Sequence, residues 1–225
     1  MKTISRKERY DMPKVFAKAR EPFSCYSHFI GAVLSGVGLL AMLIHMNHFG
    51  ASFRTAVSVL IFCLSLIGLY TASSVYHFSL KGEAIIRRLK KLDHSMIYVL
   101  IAGSYTPIVL RFMPAPRSVY FTLAIWAVAL FGIAVKLLWI DAPRVIGTAL
   151  YLALGWAIMV DFGTILRMPA PAIALLAAGG ICYTIGGMVY IVKKPDLGIG
   201  FHELFHLFVI AGSACHYLMV FLYVI

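Results

Sequence analysis

Apolar residues fill this chain in long unbroken runs, without the strict two-residue alternation of a half-buried strand. Seven runs stand out, at about 26–46, 55–77, 93–112, 118–139, 145–166, 170–192 and 202–224. Each is close to the ~20 residues that a helix needs to cross ~30 Å of hydrocarbon. Between them lie breakers such as Pro114-Ala115-Pro116, Asp141-Ala142-Pro143 and Met168-Pro169-Ala170-Pro171. The pattern predicts an all-α, polytopic membrane protein: a seven-transmembrane helix bundle over residues 24–225, preceded by a basic juxtamembrane arm over 1–23. Pro107 falls inside the third run and should kink it, freeing a carbonyl near Gly103. Small residues at Gly31/Ser35, Ala32/Gly36, Gly179/Tyr183 and Gly180/Thr184 mark places for close helix packing.

Composition agrees. The chain is 61% hydrophobic and 13% charged, with a mean hydropathy of +0.89, which leaves no room for a sizeable soluble domain. The first 22 residues are basic and polar, with no apolar core and no small-residue cleavage site, unlike a signal peptide. Glu8, Asp11 and Glu21 argue against an organelle transit peptide, and Val15 to Arg20 reads as a short amphipathic stretch for anionic headgroups. The four cysteines have no CxxC spacing and read as packed thiols.

The net charge of +11 could suggest nucleic acid, but its placement excludes that class. With the N-terminus in the cytoplasm, sixteen Lys/Arg fall on the inner side: the arm, the 2–3 loop (Lys81, Arg87, Arg88, Lys90, Lys91), Lys136, Arg144, Lys193 and Lys194. Only Arg54, Arg111, Arg117 and Arg167 fall outside. The positive-inside rule therefore predicts seven crossings, with the N-terminus cytoplasmic and the C-terminus outside. The partners to expect are membrane lipids, with a lipid substrate or ligand, and no nucleic acid.

Against this background the run His202-Glu203-Leu204-Phe205-His206 is conspicuous. Ionisable groups at membrane depth are costly and mark function, and two histidines at i, i+4 form a metal-binding pair. In the predicted topology His77 ends the second helix, Asp93 and His94 start the third, and His202 and His206 start the seventh, all on one membrane level. Ser73 is one turn deeper, on the same face as His77. Ser73, His77, Asp93, His202 and His206 can thus converge if helices 2, 3 and 7 are neighbours. Three imidazoles make a zinc shell with an open fourth position. Zinc lowers the pKa of bound water towards ~7; Asp93 could orient or deprotonate that water, and Ser73 could hydrogen-bond a substrate oxygen.

Plainer readings stand beside these. His45, His48 and His94 read as interfacial residues. His28 is either packed or a neighbour of the metal ligands, and His216 is too far along its helix to join them and should hydrogen-bond between helices. Asp93 alone could cap a helix or pair with Lys90 or Lys91. Asp161 either pairs with Arg167 or marks a polar cavity. HELFH also matches the metalloprotease pattern HExxH, in which the glutamate is the base, but the nearest Asp-Gly-type partner, Pro195-Asp196-Leu197-Gly198, lies in the adjoining loop.

The phrases Ser73-Ser-Val-Tyr-His77, Leu92-Asp-His-Ser-Met-Ile-Tyr98, Ile101-Ala-Gly-Ser-Tyr-Thr-Pro107 and His202-Glu-Leu-Phe-His206, together with the opening Ser27-His-Phe-Ile-Gly-Ala32, resemble the hemolysin III group of bacterial membrane proteins. That group belongs to the progestin and adipoQ receptor family and is distantly similar to alkaline ceramidases. The resemblance covers about residues 24 to 225 and implies a seven-helix bundle in the bacterial inner (plasma) membrane. It implies zinc held by His77, His202 and His206, with Ser73 and Asp93 beside the metal-bound water as catalytic candidates. It also implies that Glu203 is not an obligatory base, since receptor relatives can carry glutamine there. The long N-terminal region of the hormone-receptor branch is missing.

Three functions compete. The first is a membrane-lipid homeostasis factor acting as a zinc-dependent, ceramidase-like hydrolase of lipid amides. The second is a non-enzymatic membrane sensor or regulator with structural zinc. The third is a pore-forming hemolysin, disfavoured because few polar residues could line a channel.

Overall fold

The computed structural model describes residues 18–195 and 198–225. Most of the predicted basic arm, and Asp196 and Leu197 of the 6–7 loop, lie outside the described residues. Among those described, seven helices are long and apolar enough to cross a membrane: α1 (Pro22–Phe49), α2 (Phe53–Phe78), α3 (Glu83–Phe112), α4 (Arg117–Leu138), α5 (Arg144–Ile165), α6 (Ala170–Val192) and α7 (Phe201–Tyr223). The chain is an integral, multi-pass membrane protein.

Local chemistry sets the helix ends. Pro22 opens α1, where its missing N–H costs nothing. Gly50, at φ 63°, closes it in the left-handed conformation. Two residues later Ser52 caps α2, its side chain accepting from the Thr55 N–H at 3.2 Å.

α3 differs from the predicted third span. It begins ten residues early, at Glu83, because Glu83-Ala-Ile-Ile-Arg-Arg-Leu-Lys-Lys consists of good helix formers with an acid in the first turn. Its 30 residues give ~45 Å at 1.5 Å per residue, so its basic first turns project beyond the hydrocarbon. Asp93 therefore caps nothing; it sits a full ten residues inside the helix.

α5 is broken. It is α-helical to Gly155, passes through a 3-10 segment at Ala157–Asp161, and ends with one α turn, Phe162–Ile165. The Tyr105 hydroxyl fills the break, donating to the Gly155 carbonyl at 2.8 Å and accepting from the Ile158 N–H at 2.9 Å. A side chain inserted into the helical ladder is a sufficient cause of such a break. Asp161 then caps the last turn through the Thr164 N–H at 3.2 Å and meets Arg117 at 3.4 Å. Its partner is thus Arg117, at the start of α4, and not Arg167.

Consecutive helices α1 to α4 pack closely in sequence, α6 pairs with α7, and α1 closes the ring against α7. α2 and α3 are the most enclosed helices, whereas α5 packs more loosely. Large apolar side chains such as Leu34, Ile44, Leu138 and Val160 cover the outer surface, as expected where lipid is the solvent. Two of the predicted small-residue sites bring helices close, with the ring of Tyr70 over Gly31 and that of His216 over Gly179, whereas a Cβ at Gly36 would meet nothing within 4 Å.

Candidate metal centre

Three helix ends meet at one end of the bundle. His77 occupies the last turn of α2, and His202 and His206 occupy the first two turns of α7. One ring nitrogen or more of each lies within 4.8 Å of the others, and His77 and His206 are buried. α1 packs against both α2 and α7, and α2 reaches α7 through side chains such as Tyr70, whose hydroxyl donates to the Val209 carbonyl at 3.5 Å.

The lead-in to α1 reaches the same point. The backbone N–H groups of Arg20 and Glu21 donate to the carbonyls of Phe78 and His77 at 3.4 and 3.1 Å. This pairing satisfies two of the carbonyls that the end of α2 leaves free. It also sets the Glu21 carboxylate directly on His77 Nδ1. Arg20 flanks Glu21 at 3.6 Å and lies 4.5 Å over the Tyr76 ring. Burial alone would raise the Glu21 carboxyl. The hydrogen bond with His77, then the charges of His77, Arg20 and His202, outweigh it and hold Glu21 below the ordinary carboxylate range.

The geometry fits a metal ion. Glu21 meets His77 at Nδ1, which turns Nε2 towards His202, the orientation that a carboxylate imposes on a metal-binding histidine. His77 Nε2 and His202 Nε2 are 3.4 Å apart. That is long for a hydrogen bond, and it matches the spacing of about 3.4 Å set by two tetrahedral ligands with ~2.0–2.1 Å bonds to zinc. His206 Nδ1 is buried with no hydrogen-bond partner among the described residues. His28, read as either packed or a neighbour of the ligands, stacks on His206 with ring centroids 3.8 Å apart.

A cavity of about 750 Å³ opens beside the three histidines and runs down the middle of the bundle. Ser73 and Asp93 line it next to His77, both buried. Ser73 Oγ lies beside the Asp93 carboxylate. Deeper walls are apolar, with Ile97, Ile101, Ile108, Ile158 and Ile173. The five residues singled out by topology therefore share one site.

Other expectations fare differently. His94 lines the cavity and is no interfacial residue, whereas His48 is exposed as expected. His216 reaches the cavity's far end, sits edge-on to Tyr183 at 5.4 Å and faces the Leu176 backbone of α6, in line with the expected contact between helices. Glu203 folds back over Gly200 at the start of its own helix and is not part of the cavity wall, so HELFH does not present its carboxylate as a protease base. Sequence reading missed Glu21, whose one visible signal was a lone carboxylate in a basic stretch immediately before Pro22.

Comparison with known proteins identifies relatives over most of the chain. The model of the family described as "Haemolysin-III related" matches residues 16–217. "Hemolysin-3" of Bacillus cereus is 32% identical over 88% of this chain and 89% of its own. "Hemolysin-3 homolog" of Bacillus subtilis (strain 168) is 34% identical over 93% of this chain and 96% of its own. Human "Monocyte to macrophage differentiation factor" is 25% identical over 89% of this chain and 82% of its own. On this match, with its seven spans and converging histidines, the chain belongs to the haemolysin-III related family of integral membrane proteins.

Proposed function

We propose that His77, His202 and His206 hold zinc and that the protein is a lipid hydrolase of the membrane interior, cleaving an amide-linked acyl chain as part of membrane-lipid homeostasis. One observation carries this reading: the histidine cluster opens onto a lipid-sized, apolar cavity with Asp93 and Ser73 in the adjoining wall. A purely structural metal needs no such cavity.

Zinc bound there supplies Lewis acidity towards a carbonyl and towards water. The chain's own residues do the rest. The apolar depth holds the acyl chain and keeps bulk water away from it. Ser73 Oγ donates a hydrogen bond to the carbonyl oxygen as negative charge grows on it. Asp93 accepts a proton from the attacking water and returns one to the leaving amine, so that the C–N bond breaks to give a fatty acid and an amine. Glu21 holds His77 in its ligating orientation. The placement of sixteen Lys/Arg against four supports a cytoplasmic N-terminus, a site at the cytoplasmic face and an inner-membrane location.

The test is fatty-acid release from a panel of lipid amides by purified, zinc-loaded protein. The reading requires that Asp93→Ala abolish release while zinc content stays at one per chain. If no lipid is cleaved and Asp93→Ala and Ser73→Ala retain full function in cells, zinc is a structural clamp joining the α1 lead-in, α2 and α7, and the protein acts as a sensor or regulator. The backbone pairing of Arg20 and Glu21 with the end of α2 favours that second reading.

A further inference from the structure

The cavity-lining charges do not balance by pairing. Its acids are all engaged: Glu21 by His77 and Arg20, Asp93 beside His77, and Asp141 by Arg87 at 2.6 Å and Lys90 at 3.9 Å. Two of its bases are not. Arg144 lies 5.1 and 5.4 Å over the rings of Tyr190 and Phe201, and no carboxylate meets it among the described residues. Lys136 is more telling. It is 4% exposed, and its ammonium has neither an ion pair nor a hydrogen bond among the described residues. Its nearest favourable contact is the face of Tyr151 at 5.7 Å.

Two ordinary duties of such a lysine do not apply. It does not satisfy the carbonyls at the end of α4, because Lys91 reaches across from α3 and donates to the Leu137 carbonyl. Nor does it extend outwards to water, as a lysine near a membrane surface normally does. It turns inwards over Gly147, where a Cβ would stand 2.5 Å from Nζ, and lines the same cavity as the histidines. An ammonium that opens into a largely apolar cavity without an ion pair favours an anionic occupant.

We propose that Lys136, with Arg144 at the rim, binds an anionic headgroup, so that the cavity takes a phosphate-bearing lipid. This rests on reading the cavity as a lipid site and adds the chemistry of the headgroup. A neutral sphingoid amide leaves both cations unmet. A divalent metal on the histidines adds positive charge to the same end, which sharpens the preference. The apolar depth below, walled by Ile101, Ile108 and Ile158, accepts the chains of that lipid and argues against free phosphate.

Native mass spectrometry of the full chain in neutral detergent tests this with a short-chain diether phosphatidylglycerol, which cannot be hydrolysed, against its phosphatidylcholine counterpart. Binding is thereby read apart from catalysis, so a protein that cleaves nothing still gives an answer. The expected result is one phosphatidylglycerol per chain, held about ten-fold or more tighter than phosphatidylcholine, the value of one charge-assisted hydrogen bond. Lys136→Met should erase that preference and Lys136→Arg should keep it, with unchanged zinc content and monodisperse elution showing that each variant is folded. Arg144→Gln should weaken it in part. Equal binding of the two lipids, or a preference that survives Lys136→Met, overturns the proposal. So does displacement of the lipid by millimolar inorganic phosphate, which would make the site one for the free anion.

Discussion

The cavity has two unlike walls. On the α2–α3 side, helices pack closely, Gly103 meets Ser65, and Ser104 and Thr106 tie their hydroxyls to carbonyls one turn back at 2.8 Å. This wall carries Ser73, His77 and Asp93. On the opposite side α5 is interrupted, and Trp156, Met159 and Phe162 both line the cavity and remain substantially exposed. A tightly packed wall holds charged side chains within fractions of an ångström. A thin, broken wall can yield to a ligand without disturbing them. The contrast separates chemistry from access.

The most damaging change should be on the rigid side. His77→Ala removes a ligand whose nitrogen is 3.4 Å from that of His202, and zinc bound per purified chain should fall to background by elemental analysis. Asp93→Asn should retain the metal but lose acyl release by about 10²–10⁴-fold, the range for a positioned acid–base group. Glu21→Gln should weaken zinc about 10–100-fold in competition with a chelator, as loss of a carboxylate behind a ligating histidine does, while leaving the fold intact. On the yielding side, Tyr105→Phe deletes the hydroxyl that meets both Gly155 and Ile158. It should cost about 1–3 kcal/mol, read as a lower melting temperature with unchanged zinc content. Glu203→Gln should alter none of these quantities, and a large loss of activity there would restore the protease-like reading of HELFH.

Much of this was legible in the sequence, for a physical reason. Hydrocarbon enforces helices of a minimum length, so the seven runs announce themselves, and alternating crossings then bring His77, Asp93, His202 and His206 to one level without any structure. What stayed hidden depends on contacts that no periodicity encodes. The break in α5 is made by Tyr105, 50 residues away from Gly155. Asp93 looked like a helix start because the basic run before it marks the membrane edge, yet helix formation does not stop at that edge. Glu21 was read only as an acid of the basic arm and Lys136 only as a charge that orients the chain, and burial and partners alone distinguish them from their neighbours.

The short strap formed by Arg20 and Glu21 has a practical corollary for anyone handling this protein. Because two peptide N–H groups fasten it to the end of α2 and its carboxylate meets His77, proteolysis or truncation beyond residue 19 should release any metal held by the histidines as well as trim a tail. Affinity tags are therefore better joined after Ile225, at the far end of the bundle, than fused close to Glu21. A preparation clipped at the strap would elute as a sound seven-helix protein and be silently metal-poor.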